Sequence, residues 1–192
     1  MIENQCYRCY HKWVQRRVGK PKICPSCKSP YWNIPPKKIR ASKEFIENSV
    51  KVIISLHDMI IEKSGGTSGI RDEAGLYNAM YRIINFQYKK MKDPCAVGAF
   101  VYQDIAKRHH FVDGNKRTAH CYAKILLFTM DYHLKLNYKE ATEFILAIAR
   151  DKNPKSFNEI TEWIKKNASK VERRKKVVSY LKELYFDISN GE

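Results

Sequence analysis

The sequence lacks any uninterrupted run of roughly 20 apolar residues, the length that a membrane-spanning helix needs. It also lacks an apolar secretory segment at its N-terminus, and it contains no internal repeat or low-complexity tract. These absences predict a soluble, cytoplasmic protein with no membrane partner. With 192 residues, 44% of them apolar, the chain can bury a core, either as one domain or as a small module beside a larger domain.

Acidic residues are scarce in the first quarter of the chain. Residues 1–43 contain 11 Lys and Arg but a single Glu, whereas residues 44–192 contain 25 Lys and Arg against 19 Asp and Glu. Most of the formal charge of +16 at pH 7 therefore lies in the first segment. Such a segment attracts nucleic acid, acidic proteins or anionic surfaces, or it simply favours solubility.

Aliphatic residues are also scarce before residue 36, so this segment needs a staple in order to fold. Cys6 and Cys9 form one pair with two intervening residues, and Cys24 and Cys27 form a second pair. In a chain without a secretory signal, this spacing favours metal ligation over disulfides. Four thiolates predict a closed tetrahedral site for a structural Zn²⁺ that takes no part in catalysis.

The cysteine spacing and three flanking aromatics, Trp13, Tyr31 and Trp32, resemble a zinc ribbon, in which two short hairpins carry the ligands. We therefore predict a small β zinc-ribbon module over residues 1–38. Basic and aromatic side chains of the module could bind nucleic acid. Docking to a protein, or to the rest of this chain, is the alternative. The basic residues concerned are Arg16, Arg17, Lys20 and Lys22.

Helical periodicity begins after a stiff linker at residues 35–38 and continues without a convincing β-rich segment. We predict a mainly α domain over residues 39–192, with basic helices near residues 155–187 at its end. Capping patterns predict helices that begin after Ser42, Asp72, Asp93 and Asn137. A glycine-rich segment at residues 65–69 interrupts the pattern and is expected to form a mobile loop or a short hairpin.

Residues 109–117 read His-His-Phe-Val-Asp-Gly-Asn-Lys-Arg and lead into a strongly amphipathic helix. The last four of them, residues 114–117, should form the first turn of that helix. Unpaired N–H groups at a helix start bind anions, and Gly114 allows a phosphate to approach the backbone closely. Lys116 and Arg117 add positive charge there, and the amide of Asn115 can hydrogen-bond a phosphate. The loop therefore predicts a phosphate-binding site.

Two further side chains of the loop are candidates for metal binding and for proton transfer. Asp113 offers the hard oxygen that suits a Mg²⁺ ion bridging phosphate oxygens. His109 is the candidate general base, because histidine exchanges protons near neutral pH. Phe111 should anchor the loop in the core.

Residues 109–118 resemble the signature loop of the Fic/Doc family, His-x-Phe-x-Asp/Glu-Gly/Ala-Asn-Gly/Lys-Arg, and fall closer to its Doc branch. The resemblance covers about residues 44–150 and includes a glycine-rich flap, which in this family positions the target. It implies a Fic/Doc-like helical bundle that uses Mg²⁺ and ATP, with His109 as the base and Asp113 as the Mg²⁺ ligand. The implied phosphate-binding residues are Gly114, Asn115, Lys116 and Arg117, and the flap residues are Gly65, Gly66, Gly69 and Arg71.

Two positions depart from the pattern of the Fic enzymes that transfer AMP. Those enzymes usually carry Gly where Lys116 stands and a second Arg where His120 stands. Doc proteins share the Lys and lack that Arg, and they phosphorylate a hydroxyl of a translation factor, elongation factor Tu. The resemblance therefore favours a protein kinase, with AMP transfer as the alternative.

The family's self-inhibitory motif, Ser/Thr-x-x-x-Glu-Gly/Asn, is not intact, because Lys43 occupies the Ser/Thr position ahead of Glu47 and Asn48. A separate antitoxin protein is therefore the expected source of inhibition. A different class of function is also open, namely an inactive scaffold with a nucleic-acid-binding ribbon. The complete loop favours the enzyme, because both His109 and Asp113 are present.

Overall fold

A computed structural model of the chain describes residues 3–9, 11–15, 19–34 and 41–189. Within these residues the fold is mainly α, with two short antiparallel strand pairs, which confirms the predicted class. No helix of this part of the chain has the length and apolar character needed to cross a membrane. The elements in chain order are β1 (Glu3–Gln5), β2 (Lys12–Val14), α1 (Lys43–Ser64), α2 (Glu73–Lys89), α3 (Pro94–Val101), a π-helical turn (Tyr102–Ala106), α4 (Asn115–Thr129), β3 (Tyr132–Leu134), α5 (Tyr138–Ala149), α6 (Phe157–Asn167), β4 (Ala168–Lys170) and α7 (Arg173–Ser189).

Side-chain caps begin most helices at the residues that the sequence indicates. The Ser42 hydroxyl accepts a hydrogen bond from the Phe45 N–H, and the carboxylates of Asp72 and Asp93 accept from N–H groups in the first turns of α2 and α3. Asn137 forms the predicted capping box with Glu140. Each cap satisfies an N–H that helix geometry leaves without an intrahelical partner.

Helix α4 lies at the centre of the bundle, with α1, α3, α5 and α7 packed around it. Helix α3 is buried along nearly its whole length. A Cβ added at Gly98 of α3 would lie 3.1 Å from Ile164 in α6 and 3.2 Å from Leu127 in α4, so this glycine permits the close approach of three helices. The predicted helix after Asp93 continues beyond α3 as the π-helical turn, which the sequence did not indicate.

The strand pair β3–β4 joins the α4–α5 connection to the α6–α7 connection, with Tyr132 opposite Lys170 and Leu134 opposite Ala168. The sequence pattern predicted no β-rich segment in this region. Strand β4 also separates the two basic helices predicted over residues 155–187, which are α6 and α7. Helix α7 buries Tyr180 and Ile188, so it packs against the rest of the domain.

A buried ion pair connects α4 to α7. The Lys124 ammonium donates to the Asp187 carboxylate, and each side chain is 1% exposed. The second oxygen of Asp187 accepts from the Tyr138 N–H at 2.7 Å, at the start of α5. A third helix, α5, is therefore tied to the same carboxylate through its N-terminus.

The N-terminal module contains β1 and β2 and packs against α2. The Arg8 guanidinium donates to the Tyr81 hydroxyl at 2.6 Å, and Ala74 and Tyr77 pack against the cysteine cluster. The described residues of the module contain one hairpin where a zinc ribbon would have two, since the second cysteine pair lies in turns. The predicted linker at residues 35–38 and the predicted boundary between residues 38 and 39 lie outside the described residues.

We expect Lys124→Met to lower the free energy of unfolding by about 3–5 kcal/mol, because it leaves a buried carboxylate without its cation. Chemical denaturation would measure the loss. Lys155→Met is the matched control, since Lys155 pairs with Glu159 at 2.7 Å on the surface, where ion pairs contribute little. Equal losses in the two variants would contradict the importance of the buried pair.

Candidate functional site

The loop at residues 109–114 connects the α3 segment to the start of α4 in a conformation that few residues adopt. His109 has a φ of 50° and Gly114 a φ of 69°, both in the left-handed region. The positive φ of Gly114 favours glycine, and a Cβ there would lie 3.0 Å from the end of the Ile61 side chain, which would have to shift. His109 is exposed, so a ligand can reach its ring, whereas His110 is buried.

Phe111 anchors the loop in the core, as the sequence predicted. Its side chain is fully buried and stacks on the His57 ring of α1, with centroids 3.9 Å apart and planes 5° from parallel. The amide of Asn115 fixes the loop from the other side. Its oxygen accepts from the Phe111 N–H and its nitrogen donates to the Phe111 carbonyl, both at 2.9 Å.

This pairing changes the interpretation of Asn115. The loop pattern predicted that this amide binds phosphate, but the amide is buried and both of its polar atoms bind the backbone of Phe111. Its side chain therefore holds the loop in shape. What it offers to an anion is its backbone N–H at the start of α4.

The Asp113 carboxylate stands at the mouth of the site and is half exposed. It accepts a hydrogen bond from the Gly114 N–H, which holds the pKa of the Asp113 carboxyl below its usual range, and the charges of Arg117 and Lys116 act in the same direction. The carboxylate is therefore ionised at neutral pH. It also accepts from the Thr67 N–H at 3.4 Å, which leaves lone pairs for a cation.

The N-terminus of α4 has no side-chain cap, because its N-cap residue is Gly114. Its first N–H groups therefore remain available to an anion, and Lys116, which is partly exposed, adds a positive charge in the first turn. Arg117 is more restricted. Its Nη1 donates to the carbonyls of Ser64 and Gly65 at 3.0 and 2.9 Å and to the Ser64 hydroxyl at 2.7 Å, and its Nη2 lies 3.7 Å from the Asp113 carboxylate.

The glycine-rich flap pairs with the loop as a short antiparallel segment. The Val112 N–H donates to the Gly69 carbonyl at 2.9 Å, and Ile70 bridges to Phe111. The N–H groups of Arg71 and Asp72 both donate to the His110 carbonyl. The sequence left open a mobile loop or a short hairpin. The antiparallel pairing is closer to the short hairpin.

Gly66 carries the flap directly over the charged residues of the site. With a φ of 116°, it lies where an added Cβ would be 2.5 Å from an Asp113 carboxylate oxygen and 2.9 Å from Nη2 of Arg117. Gly65 and Gly69 also have positive φ values, of 77° and 127°. Of the predicted flap residues, Arg71 contacts the loop with its side chain, which donates to the Val112 carbonyl at 3.3 Å.

The loop and the first turn of α4 line a cavity of about 270 Å³. Tyr138, which the sequence analysis did not select, contributes from α5. His57 and Ser64 were also missed, although a histidine at a helical spacing within the apolar face of α1 is a recognisable signal. The residues that line the cavity are His109, Val112, Asp113, Gly114, Asn115, Lys116, Arg117 and Tyr138.

His120 lies behind the cavity and does not line it. Its ring is fully buried, and Nδ1 lies 2.7 Å from the Tyr102 hydroxyl. Burial, reinforced by the charge of Lys124, lowers the pKa of His120 to about 3, so the ring is neutral at neutral pH. This position therefore supplies no positive charge to a ligand.

A second candidate site, for a metal ion, lies in the N-terminal module. Sγ of Cys6 is 3.8 Å from Sγ of Cys27, and Sγ of Cys9 is 3.7 Å from Sγ of Cys24. All four sulfurs lie within 4.8 Å of one another, too far apart for disulfides. A tetrahedron with Zn–S bonds of about 2.3 Å has sulfurs about 3.8 Å apart, so the cluster fits a zinc ion.

The backbone and the charges of the cluster agree with this fit. In each pair, the N–H of the first cysteine donates to the carbonyl five residues later, Cys6 to His11 and Cys24 to Ser29. Burial raises the pKa of Cys6 to about 11, and a hydrogen bond from Cys9 lowers the pKa of Cys27 to about 5. Four thiolates thus need a bound cation in order to coexist. Trp13 and Trp32 pack against the cluster, whereas Tyr31 is exposed.

Comparison with known proteins bears on the segment of the chain that contains the loop and the flap. No curated protein matches the chain. A family model does match, over a segment that runs from α1 to α4 and contains both the flap and the loop. This match supports a Fic-like helical fold and, in general, a transferase of that type. The matching model is that of the Fic/DOC family, and it covers residues 48–127 of the chain.

Proposed function

We propose that the protein is a Doc-like kinase, which transfers the γ-phosphoryl group of ATP to a hydroxyl of a protein target. The observation that carries the proposal is the cavity in which His109, the Asp113 carboxylate and the uncapped start of α4 converge. A base, a metal-binding carboxylate and an anion-binding helix terminus are the parts that phosphoryl transfer requires. The family match over residues 48–127 supports a transferase of this general type.

His109 is the general base of the proposed reaction. The target oxygen forms a bond to the γ-phosphorus while the bond from that phosphorus to the β–γ bridging oxygen breaks. The bridging oxygen keeps the electron pair and leaves as part of ADP, and the hydroxyl proton passes to His109. The exposure of His109 in the cavity allows a target hydroxyl to approach it.

The phosphates would lie against the first turn of α4. The backbone N–H groups of Asn115 and Lys116 and the ammonium of Lys116 oppose their negative charge, whereas the Gly114 N–H already donates to the Asp113 carboxylate. The ionised Asp113 carboxylate fits Mg²⁺, which neutralises developing phosphate charge when bound. Arg117 contributes through Nη2, because its Nη1 is hydrogen-bonded to the end of α1.

Two positions favour phosphate transfer over AMP transfer. Lys116 stands where the AMP-transferring Fic enzymes usually have glycine. His120, at the position of their second arginine, is buried and neutral, so it provides no cation to hold the nucleotide in the AMP-transferring orientation. AMP transfer by the same loop is the second candidate function.

The target and the regulation follow from the same resemblance. A translation factor is the proposed target class, and a cytoplasmic location suits both that target and reduced cysteines. Lys43, which replaces the Ser/Thr of the self-inhibitory motif, forms an ion pair with Glu47 at 3.2 Å on the surface of α1. An antitoxin chain is therefore the proposed source of inhibition.

The module is proposed to hold one structural zinc ion. Its exposed Lys20 and Lys22 are compatible with nucleic-acid binding, whereas Arg16 and Arg17 lie outside the described residues. The contacts of Arg8 and of the cysteine cluster with α2 support docking of the module on its own chain.

We expect ATP labelled at the γ-phosphate, and not at the α-phosphate, to label a protein target in a lysate. Label retained only from the α position would replace the kinase by an AMP transferase. Absence of label from both positions would favour an inactive scaffold. Intact-mass analysis of a purified target would distinguish the added phosphate from AMP.

His109→Ala should lower turnover by about 10²- to 10⁴-fold, the usual contribution of a general base, with little change in Mg-ATP binding. Asp113→Ala should instead abolish Mg-ATP binding, because it removes the metal-binding carboxylate. His11→Ala and Asp151→Ala are the controls, since both residues are exposed outside the loop. Unchanged turnover in His109→Ala would refute its role as the base.

We expect freshly purified reduced protein to contain one zinc ion per chain by elemental analysis. Cys24→Ser should lower the zinc content because it removes one of four ligands, whereas Cys95→Ala, which alters a buried cysteine outside the cluster, should leave it unchanged. A zinc content well below one in the unmodified protein would contradict the site.

A further inference from the structure

His57 is a polar residue in the apolar face of α1. It lies between Ile53 and Ile60 at helical spacing, and its side chain is fully buried. Although it precedes the loop by more than fifty residues, its ring stacks on Phe111. A purely apolar side chain could fill this space, so the two ring nitrogens need an explanation.

Both ring nitrogens of His57 face acceptors. Nδ1 lies 3.0 Å from the Asp58 carboxylate, and Nε2 lies 3.2 Å from the backbone carbonyl of Asp113. A carbonyl oxygen can only accept a hydrogen bond, so Nε2 carries the hydrogen and donates it. Asp58 is exposed and can also be solvated, whereas the bond to Asp113 connects α1 directly to the loop.

The peptide unit between Asp113 and Gly114 is therefore held at both of its polar ends. Its carbonyl accepts from His57, and its N–H donates to the carboxylate of Asp113 itself. A rotation of this peptide plane would break both bonds and remove the Gly114 N–H as a donor that orients the carboxylate. Since Gly114 has the conformational freedom of glycine, the loop backbone alone does not prevent such a rotation.

We infer that His57 is a positioning residue, which orients the Asp113 carboxylate for a divalent cation by fixing the Asp113–Gly114 peptide. The role as a metal-orienting residue rests on the proposed function, whereas the effect on the peptide does not. Partners that orient metal-binding residues typically contribute 10- to 100-fold to metal affinity or activity. His57 makes its contribution from α1, whereas Asp113 lies in the loop before α4.

Two substitutions separate hydrogen bonding from packing. His57→Phe keeps an aromatic ring to stack on Phe111 but removes the donor. His57→Gln removes the ring but places an amide N–H near the position of Nε2. Phe128→Leu is the control for stability alone, because Phe128 stacks on Tyr180 at 3.9 Å near the other end of α4.

Two measurements on the full chain test the inference. The first is the Mg²⁺ concentration for half-maximal ATP binding, which should rise about 10- to 100-fold in His57→Phe and stay near the unmodified value in His57→Gln. The second is amide hydrogen exchange at Gly114, which should accelerate in His57→Phe only. Phe128→Leu should lower the melting temperature without changing either quantity.

The opposite pattern would overturn the inference. If His57→Phe matches the unmodified protein in both measurements while His57→Gln does not, His57 acts through packing alone. If the unmodified protein binds no Mg-ATP, the proposed function fails. Gly114 exchange in the two variants then still decides whether His57 holds the peptide.

Discussion

The candidate site depends on the contact between an irregular loop and helix α1. Phe111 stacks on His57, His57 donates to the Asp113 carbonyl, and Arg117 donates to the carbonyls at the C-terminal end of α1. None of these contacts belongs to a regular ladder, so the loop takes its shape from side chains of another element. This constraint places His109, Asp113 and the start of α4 beside one cavity, and it explains why buried residues matter for a site on the surface.

The flap adds a second constraint on the same loop. It pairs with the loop backbone at Gly69, Ile70 and Arg71, and its Thr67 N–H reaches the Asp113 carboxylate. The charged side chains of the site are therefore enclosed by backbone on one side and open to the cavity on another. A metal ion or phosphate that binds there would compete with the contacts of the Asp113 carboxylate, which accepts from the Thr67 N–H of the flap and lies 3.7 Å from Nη2 of Arg117.

Local signals in the sequence were sufficient for much of this structure. Ser42, Asp72 and Asp93 cap helices as predicted because a cap involves residues only two or three positions apart. The four cysteines cluster because two short pairs restrict the geometry strongly. The β3–β4 pair was not predicted, since its strands are three residues long and more than thirty residues apart, so neither segment shows a period. The role of Asn115 was assigned incompletely for a related reason, because its partner is backbone whose position depends on the folded loop.

The buried carboxylate of Asp187 bears on how much of the chain makes up the working unit. The segment that matches the family model ends at residue 127, in the last turn of α4. Asp187 lies sixty residues further on, yet it neutralises Lys124 in α4 and accepts from the backbone of Tyr138, whose side chain lines the cavity. A fragment that ended with the family segment would retain the loop and the flap but lose one wall of the cavity and the counter-ion of a lysine in its own core. The smallest piece able to hold this site in shape therefore extends to the last helix.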